Sequence, residues 1–403
     1  MKIAIVGGGF TGLTAAYELS KRGHRVSLFE RDDHLGGLAY GFRQKNWQWH
    51  LEAAYHHLFT NDDAIIHLCR ELNVPLIIKR PITANLYKGK TYQFDSPKHL
   101  MQFPYLAFTD KLRTGLLAAF CKVYPFWQTL EGITAKQFAI GIGGSASWRT
   151  IWEPLMSAKF GKYADTIAAS WLWARIHKRT PSLAYIEGGF QTLVNALADA
   201  IKKRGGKISL NSEFKNLNSE FDRTLLTIPT PVAARLVPQL STTAIPHLHA
   251  QVLILETEKP ILKDIYWLSI TDRSYPFLAV VQHTNFMDKK HYGGHHLTYI
   301  GNYLPSDHPY LKMTKEQLLK KFLPYIKRIS QNSELRTLNS YLFVGPFAQP
   351  VHQLHYSQKA PKFNTPIPNV YLANMDSIYP WDRGTNYAVE LGQRAAASLI
   401  YIS

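Results

Sequence analysis

Three glycines and one glutamate near the start of the chain have the spacing of a dinucleotide-binding motif. Gly7, Gly9 and Gly12 follow the apolar run 2–6 and open a segment with helical periodicity, and a second apolar run ends at Glu30. The first glycine permits a tight turn, the second lets the backbone approach a pyrophosphate, and the third lets the helix pack closely on the strand. Amides at the helix N-terminus bind phosphates, and a carboxylate such as that of Glu30 accepts hydrogen bonds from a ribose. We therefore expect a dinucleotide site on a βαβ unit.

A second glycine pair, Gly36-Gly37, lies shortly after Glu30 and Arg31. With this pair the chain resembles the glutathione-reductase-like flavoproteins, and specifically their amine oxidase, protoporphyrinogen oxidase and phytoene desaturase branch. In that branch the pair passes close to the phosphates and the ribityl chain of FAD. The family usually has an arginine after the pair, where this chain has Leu38. The resemblance implies that the dinucleotide is FAD, bound non-covalently.

The C-terminal segment carries the same resemblance. The run 369–373 is typical of a strand, and residues 387–400 have the small-residue face of a closely packed helix. In the flavoprotein branch the last helix begins under the flavin, where its N-terminal amides stabilise negative charge on the ring. The resemblance therefore implies that Asp376 and the segment Gly384-Thr385-Asn386 complete an FAD site that begins at the N-terminus.

A third segment fits the same family pattern. Residues 187–190 open an amphipathic helix, which is followed by the predicted strands 207–214 and 221–229. In the relatives the end of the first of these strands touches the adenine, a position held here by Phe214. The cofactor-binding residues predicted from the motif and the resemblance are Gly7, Gly9, Phe10, Thr11, Gly12, Glu30, Arg31, Gly36, Gly37, Leu38, Phe214, Asp376, Gly384, Thr385 and Asn386.

These patterns predict an α/β protein in which a Rossmann-like, glutathione-reductase-like FAD-binding domain is interleaved with an α+β substrate domain. The FAD-binding parts are expected at 1–75, 181–240 and 350–403. A helical, aromatic-rich part of the substrate domain is expected at 76–180. Its sheet is expected at 241–349, where strand-like runs occur at 251–256, 277–284, 297–303 and 340–344. No second GxGxxG follows a strand, so we expect electrons to leave the flavin for oxygen, a quinone or a protein rather than an NAD(P)H domain.

Two adjacent histidines, His56 and His57, are the candidate catalytic residues, because the stretch after the glycine pair leads towards the flavin ring in this superfamily. On a strand, neighbouring side chains point to opposite faces, so only one of the two is expected to face the ring. An imidazole there could hold an anionic substrate or move a proton. The alternative is that one histidine is structural and the other is exposed.

The resemblance leaves three functions open. The first is an FAD-dependent oxidoreductase that moves a hydride from a substrate C–H bond to flavin N5. The second follows from His56-His57-Leu-Phe-Thr, which resembles a segment of the UDP-galactopyranose mutases, isomerases that use reduced flavin on a nucleotide-sugar; Arg175 and Tyr299 are then possible sugar-nucleotide contacts. The third is a non-catalytic FAD-fold module. Amine oxidation fits less well, because Thr385 stands where those enzymes have an aromatic residue, although Trp381 could replace it.

The composition limits the partners and the location of the protein. The 403 residues carry 46 Lys and Arg against 29 Asp and Glu, a net charge of +17. This charge favours an anionic substrate or membrane surface, and no nucleic-acid-binding module is recognisable. The segment 314–329 is amphipathic and basic; it either lies on a membrane or, as we favour, packs on the protein's own core. Cys69 and Cys121 are expected to be buried thiols, and no metal site is expected.

No signal peptide and no membrane-spanning run are recognisable, so we expect a cytoplasmic protein, with peripheral attachment to the inner face of the membrane as the alternative. The substrate is expected to be a small apolar or anionic molecule. The sequence leaves the oligomeric state open.

Overall fold

The computed structural model of the protein describes residues 1–215, 217, 220–240, 245–330 and 335–401. Its strands are β1 (Lys2–Val6), β2 (Arg25–Phe29), β3 (Gly41–Phe42), β4 (Leu51–Glu52), β5 (Leu58–Phe59), β6 (Leu76–Lys79), β7 (Ile82–Tyr87), β8 (Lys90–Gln93), β9 (Leu183–Ile186), β10 (Lys207–Ser209), β11 (Arg223–Leu226), β12 (His247–Thr257), β13 (Ile265–Ile270), β14 (Ala279–Gln282), β15 (His296–Leu304), β16 (Thr337–Pro350) and β17 (Val370–Leu372).

The α-helices follow the same chain order. They are α1 (Phe10–Lys21), α2 (Asp63–Glu71), α3 (Pro97–Gln102), α4 (Phe108–Val123), α5 (Ala135–Gly143), α6 (Ser145–Ser147), α7 (Glu153–Phe160), α8 (Ala169–His177), α9 (Phe190–Lys203), α10 (Thr230–Leu236), α11 (Lys315–Ser330), α12 (Tyr356–Lys359) and α13 (Thr385–Tyr401).

A five-stranded parallel sheet joins three distant parts of the chain. Its strand order is β10-β2-β1-β11-β17, and every neighbouring pair is parallel. The strands are short apolar runs, as expected for a parallel sheet with both faces covered. Helix α13 packs against α1 so closely that a Cβ added at Gly392 would lie 2.6 Å from the backbone oxygen of Thr11. The last helix therefore lies directly beside the helix that opens the first βαβ unit.

A seven-stranded sheet forms the second layer of the molecule. Its order is β16-β12-β15-β14-β13-β7-β8, and it is antiparallel except for the β13–β7 pair. Helix α11 covers one part of it with Leu318, Phe322 and Ile326, which are all buried. The apolar side of this basic helix thus packs on the protein's own core, as we favoured from the sequence.

The helical insertion α3–α8 lies between β8 and β9 and has its own core. Leu117 and Cys121 of α4 pack there with Trp171 and Trp173 of α8. Cys69, on α2, is buried in the main core. Burial raises the pKa of both thiols to about 12, so both are unreactive at neutral pH.

The predicted α/β class, with a Rossmann-like sheet beside a mixed second domain, is confirmed, while two local expectations are wrong. Residues 76–93 were expected to be helical but form β6, β7 and β8, because Lys88 and Gly89 adopt positive φ and close a β-hairpin. The strand expected at 207–214 ends at Ser209. Asn211 has a φ of +49°, and the amide of Ser212 donates a hydrogen bond to the backbone oxygen of Glu30. Both differences arise from turns rather than from apolar periodicity.

Candidate functional site

One large cavity lies between the five-stranded sheet, the helical insertion and the seven-stranded sheet. Its volume is about 1430 Å³, and it reaches from the glycine loop to the walls of the insertion. Sites for one small ligand typically measure roughly 300–1,000 Å³. The cavity therefore has room for a dinucleotide and a second molecule.

The glycine loop has the geometry that its motif requires. Gly7 has a φ of +112°, which permits the turn at the end of β1. A Cβ added at Gly12 would lie 2.0 Å from the backbone oxygen of Gly7, so only glycine allows α1 to lie this close to β1. A Cβ at Gly9 would meet nothing within 4 Å, and Gly9 lines the cavity with Phe10 and Thr11. The loop thus leaves a cradle for a phosphate group in front of the α1 N-terminus.

Glu30 is fixed at the carboxyl end of β2. Its carboxylate accepts hydrogen bonds from the amide of Gly8 at 2.6 Å and from the amide of Asp32 at 2.9 Å. The amide of Gly36 donates to the backbone oxygen of Gly8 at 2.9 Å, which brings the two glycine segments together. Glu30 lines the cavity, and its carboxylate retains acceptor capacity for a ribose hydroxyl.

The predicted adenine end is formed by Phe214, beside Glu30. The Phe214 and Phe29 rings lie 5.2 Å apart, and the amide of Ser212 donates to the backbone oxygen of Glu30 at 2.8 Å. Phe214, Arg31, Gly37 and Leu38 all line the cavity. The turn after β10, which shortens the expected strand, therefore places Phe214 at the cavity wall.

The C-terminal residues meet the same cavity. Gly384, Thr385 and Asn386 line it at the start of α13, a helix long enough to present a positive N-terminus. Asp376 is buried, and its Oδ1 lies 2.7 Å from His247 Nε2. Its Oδ2 has no hydrogen-bond partner among the described residues. A buried carboxylate oxygen without a partner is costly, so a donor from a bound cofactor fits this position.

Both candidate histidines line the cavity, and the expectation that only one of them faces the flavin ring stays a prediction. The expectation assumed strand alternation, whereas β5 begins only at Leu58, after both residues. Nδ1 of His56 lies 2.6 Å from the backbone oxygen of Ala54, and Nδ1 of His57 lies 3.1 Å from the hydroxyl of Tyr266. Burial lowers the pKa of His56 to about 4 and that of His57 to about 3. Both are neutral at physiological pH, so they can exchange hydrogen bonds but do not supply positive charge.

Four neighbouring basic residues of the cavity wall form what we call the cationic cluster: Lys159, Arg175, Arg179 and Arg383. Arg31, Lys122 and Arg235 also line the cavity. Asp382 lies 3.0 Å from Lys159 and 3.4 Å from Arg175, and it is the one carboxylate among the described residues that forms a salt bridge with the cluster. Burial lowers the pKa of Lys159 against the opposing effect of Asp382. The cluster therefore carries more positive than negative charge next to a buried space.

The cluster is held by aromatic and polar neighbours. Lys159 lies 4.7 Å from the centre of the Trp171 ring, and the Arg383 guanidinium lies 4.5 Å from that of Tyr303. Arg383 Nε also donates to Gln349 Oε1 at 3.0 Å. The remaining wall is largely apolar and includes Ala118, Ile151, Leu155, Leu172, Ile176 and Leu278. A ligand with an anionic end and an apolar body matches this lining.

Two predicted substrate residues lie outside the cavity. Tyr299 is fully buried on β15, and its hydroxyl donates to the backbone oxygen of Glu52 at 2.9 Å. This hydroxyl is therefore used for a hydrogen bond within the protein core. Trp381 stacks on Tyr387 with an angle of 3° between the rings, and it is Tyr387 that lines the cavity. Arg175 is the predicted substrate residue that the structure brings to the wall.

Sequence reasoning missed most of the cationic cluster. Arg383 directly precedes the predicted Gly384, and Arg179 follows the predicted Arg175 by four residues, a spacing of about one helical turn. Both could therefore have been predicted from their positions next to predicted site residues. Lys159 lies on α7 in a segment without a motif, and only the folded chain brings it to Asp382. The structure describes no group of three or more His, Cys, Asp or Glu residues arranged to hold a metal ion.

Comparisons with known proteins agree with this architecture. The solved structure of a candidate protoporphyrinogen oxidase from Exiguobacterium sp. 255-15 is similar with a TM-score of 0.77 and 16% identity, covering 99% of this chain and 98% of that one. Reduced UDP-galactopyranose mutase is similar with a TM-score of 0.77 and 15% identity, covering 100% and 96%. At these identities the likeness shows the fold.

Curated relatives match only part of their own length. A 1-hydroxycarotenoid 3,4-desaturase from Flavobacterium sp. (strain P99-3) is 23% identical over 250 residues, which are 54% of this chain and 51% of the desaturase. An L-amino-acid oxidase from Mus musculus is 35% identical over 75 residues, 19% of this chain and 12% of the oxidase. The model of the flavin-containing amine oxidoreductase family matches residues 10–400, almost the whole chain. The family resemblance predicted from the sequence is thus confirmed: the chain belongs to the flavin-containing amine oxidoreductases.

Proposed function

We propose that the protein is an FAD-dependent oxidoreductase acting on a substrate that has an anionic group and an otherwise apolar body. The observation that carries the proposal is the single cavity that joins the dinucleotide motif to the cationic cluster and the apolar wall. A cofactor and a substrate can thus occupy the same cavity. The family description supports the flavin, and the lining supports the class of substrate.

The residues present fit non-covalently bound FAD. The Gly9 cradle and the α1 N-terminus would hold the pyrophosphate, Glu30 a ribose, and Phe214 the adenine. The unpartnered Oδ2 of Asp376 would accept a hydrogen bond from the cofactor, and the α13 N-terminus would stabilise negative charge on the ring. When bound, FAD supplies a hydride acceptor at N5 for a substrate C–H bond.

The protein's own side chains would orient the substrate. The cationic cluster would bind the anionic group, because among the described residues only Asp382 forms salt bridges with it, through Lys159 and Arg175, and Arg383 is partly buried without such a partner. The apolar wall would bind the remaining body and exclude water. Neutral His57, hydrogen-bonded to Tyr266, would accept or donate a hydrogen bond without adding charge.

The lining also bears on the alternatives. A cationic amine would meet the like charge of the cluster, so amine substrates are disfavoured. The mutase alternative is supported by the similarity of the fold. A shared fold does not by itself imply a shared reaction. A non-catalytic module would have no need for a substrate-sized space beside the cofactor motif.

Anaerobic flavin reduction tests the proposal. The purified protein, loaded with FAD, is mixed without oxygen with apolar carboxylates or phosphates and with their neutral and amine analogues, and the flavin absorbance is followed. We expect bleaching by anionic compounds, and weaker apparent binding in Arg175→Gln with similar flavin content. Turnover that requires pre-reduced flavin and consumes no acceptor would instead identify an isomerase. Failure to take up FAD at all would overturn the proposal.

A further inference from the structure

Helix α4 exposes a row of large apolar side chains to solvent. Phe108, Leu112, Leu116 and Val123 are 63%, 54%, 60% and 78% exposed, and Phe126, just beyond the helix, is 61% exposed. The four helical positions lie on one side of α4, because their spacing follows the helical repeat. We call this set of five residues the α4 ridge. Single exposed apolar residues are ordinary, whereas a contiguous ridge marks an interaction surface.

Basic residues flank the ridge on both sides. Lys111 and Lys122 lie along one edge and Arg113 along the other, as the helical repeat places them. Each donates to backbone oxygens: Lys111 to Met101 at 2.8 Å, Arg113 to Ile142 at 3.2 Å, and Lys122 to His177 at 2.9 Å. Their positive charges therefore lie beside the ridge. In these contacts the charges meet backbone oxygens and do not neutralise a carboxylate.

The edge of the ridge borders the cavity. Gly115, Ala118, Ala119 and Lys122 of α4 line the cavity, and Ala119 and Lys122 are also exposed to solvent. The cavity therefore opens to the surface next to Leu116. An apolar ridge, basic edges and an opening into an apolar cavity thus meet on one helix.

We propose that the α4 ridge docks on the surface of an anionic lipid bilayer. Large apolar residues on one face with lysine and arginine at its edges are the pattern of helices that lie in the membrane interface. The apolar residues would enter the boundary between headgroups and acyl chains, and Lys111, Arg113 and Lys122 would meet anionic headgroups. No described helix is long and apolar enough to cross a bilayer, so the contact is peripheral. Entry of substrate from the bilayer through the adjoining opening would rest on the proposed function; the docking itself does not.

A second copy of the chain is a poorer occupant of the ridge. In a two-fold symmetric contact the same surface meets itself, so the basic edges of the two copies would lie near each other. The chain carries a net charge of +17, which adds to this repulsion. Charge complementarity therefore selects an anionic surface.

Vesicle co-sedimentation tests the docking. FAD-loaded protein is incubated with vesicles of equal parts phosphatidylcholine and phosphatidylglycerol, and with vesicles of phosphatidylcholine alone. We expect binding to the anionic vesicles that weakens as salt is raised. The double variant Leu112→Asp/Leu116→Asp is expected to bind at least about tenfold more weakly, because two apolar side chains no longer leave water. Val123→Asp is a second, independent variant with the same expected direction.

Ile78→Asp is the matched control, since Ile78 is 61% exposed but lies on β6, outside the ridge. It should bind vesicles like the wild type. The inference is overturned if the wild-type protein does not bind anionic vesicles, or if both ridge variants bind as the wild type does. It is also overturned if ultracentrifugation finds a wild-type dimer that the ridge variants abolish. Flavin bleaching is read on the same samples without vesicles, so a failure of the proposed function leaves the docking result intact.

Discussion

Lys159 Nζ lies 3.0 Å from Asp382 Oδ2, and the two side chains are only 14% and 10% exposed. The lysine comes from α7 of the helical insertion, and the aspartate lies just before α13. Lys159 and Arg175 hold the pKa of Asp382 below its usual range, although burial acts in the opposite direction. This ion pair therefore links the insertion to the segment that leads into the predicted flavin site.

Asp382→Asn is expected to lower the free energy of unfolding by about 3 kcal/mol, because breaking one side of a buried ion pair leaves an uncompensated charge. Urea unfolding measures this change. In the double variant Lys159→Met/Asp382→Asn, part of the loss should return, since no charge of the pair remains. Additive effects of the two single changes would contradict the coupling.

Gly9→Val is expected to abolish FAD retention while leaving the fold intact. The Cβ position of Gly9 is free of contacts within 4 Å but lies at the cavity, so the added side chain would occupy the space predicted for the pyrophosphate. The flavin absorbance of the purified protein and its thermal unfolding without cofactor measure the two effects. Gly141→Val is the control, because that position is also free of contacts but lies on α5 outside the cavity. Equal flavin content in the two variants would argue against the site.

Gly392→Leu should separate α13 from α1, since even a Cβ at Gly392 would lie 2.6 Å from the backbone oxygen of Thr11. Overpacking of this kind typically costs roughly 1–3 kcal/mol. We expect that loss in urea unfolding, together with weaker FAD binding. Arg394→Leu places the same side chain on the exposed part of α13 and should change neither quantity. If both variants behave alike, the close contact of α13 with α1 contributes neither to stability nor to FAD binding.

Glu52 should make stability depend on pH. Burial raises its pKa to about 7 from an ordinary value of 4.5, although the Phe190 amide and the Tyr185 hydroxyl donate to its carboxylate. Between these two values the folded state holds a proton that the unfolded state has released, so stability falls as pH rises from 4.5 to 7. The difference in unfolding free energy between the wild type and Glu52→Gln should change by up to about 1.4 kcal/mol per pH unit in this window. A difference that is constant over this range would contradict the raised pKa.

The sequence predicted what depends on local pattern. Gly9, Glu30 and Asn386, which were predicted from the sequence, all line the cavity, because a strand, a turn and a helix start are encoded by neighbouring residues. Lys159 was not found, because its position opposite Asp382 depends on how a distant insertion packs. Tyr299 was misjudged for the same reason: its alternation on β15 gives a face of the sheet, but not whether that face meets the cavity or the core. The strand expected at the histidine pair begins two residues later, at Leu58.

The parallel sheet has a consequence for how the protein matures. Its edge strand β17 and the adjoining α13 come from the last part of the chain, whereas β1 and β2 come from the first. The opening βαβ unit can therefore gain these neighbours only when segments distant in the sequence pack together, and contacts of this kind slow folding. Completion of the cavity proposed to hold FAD is therefore expected to depend on contacts between segments that lie far apart in the sequence.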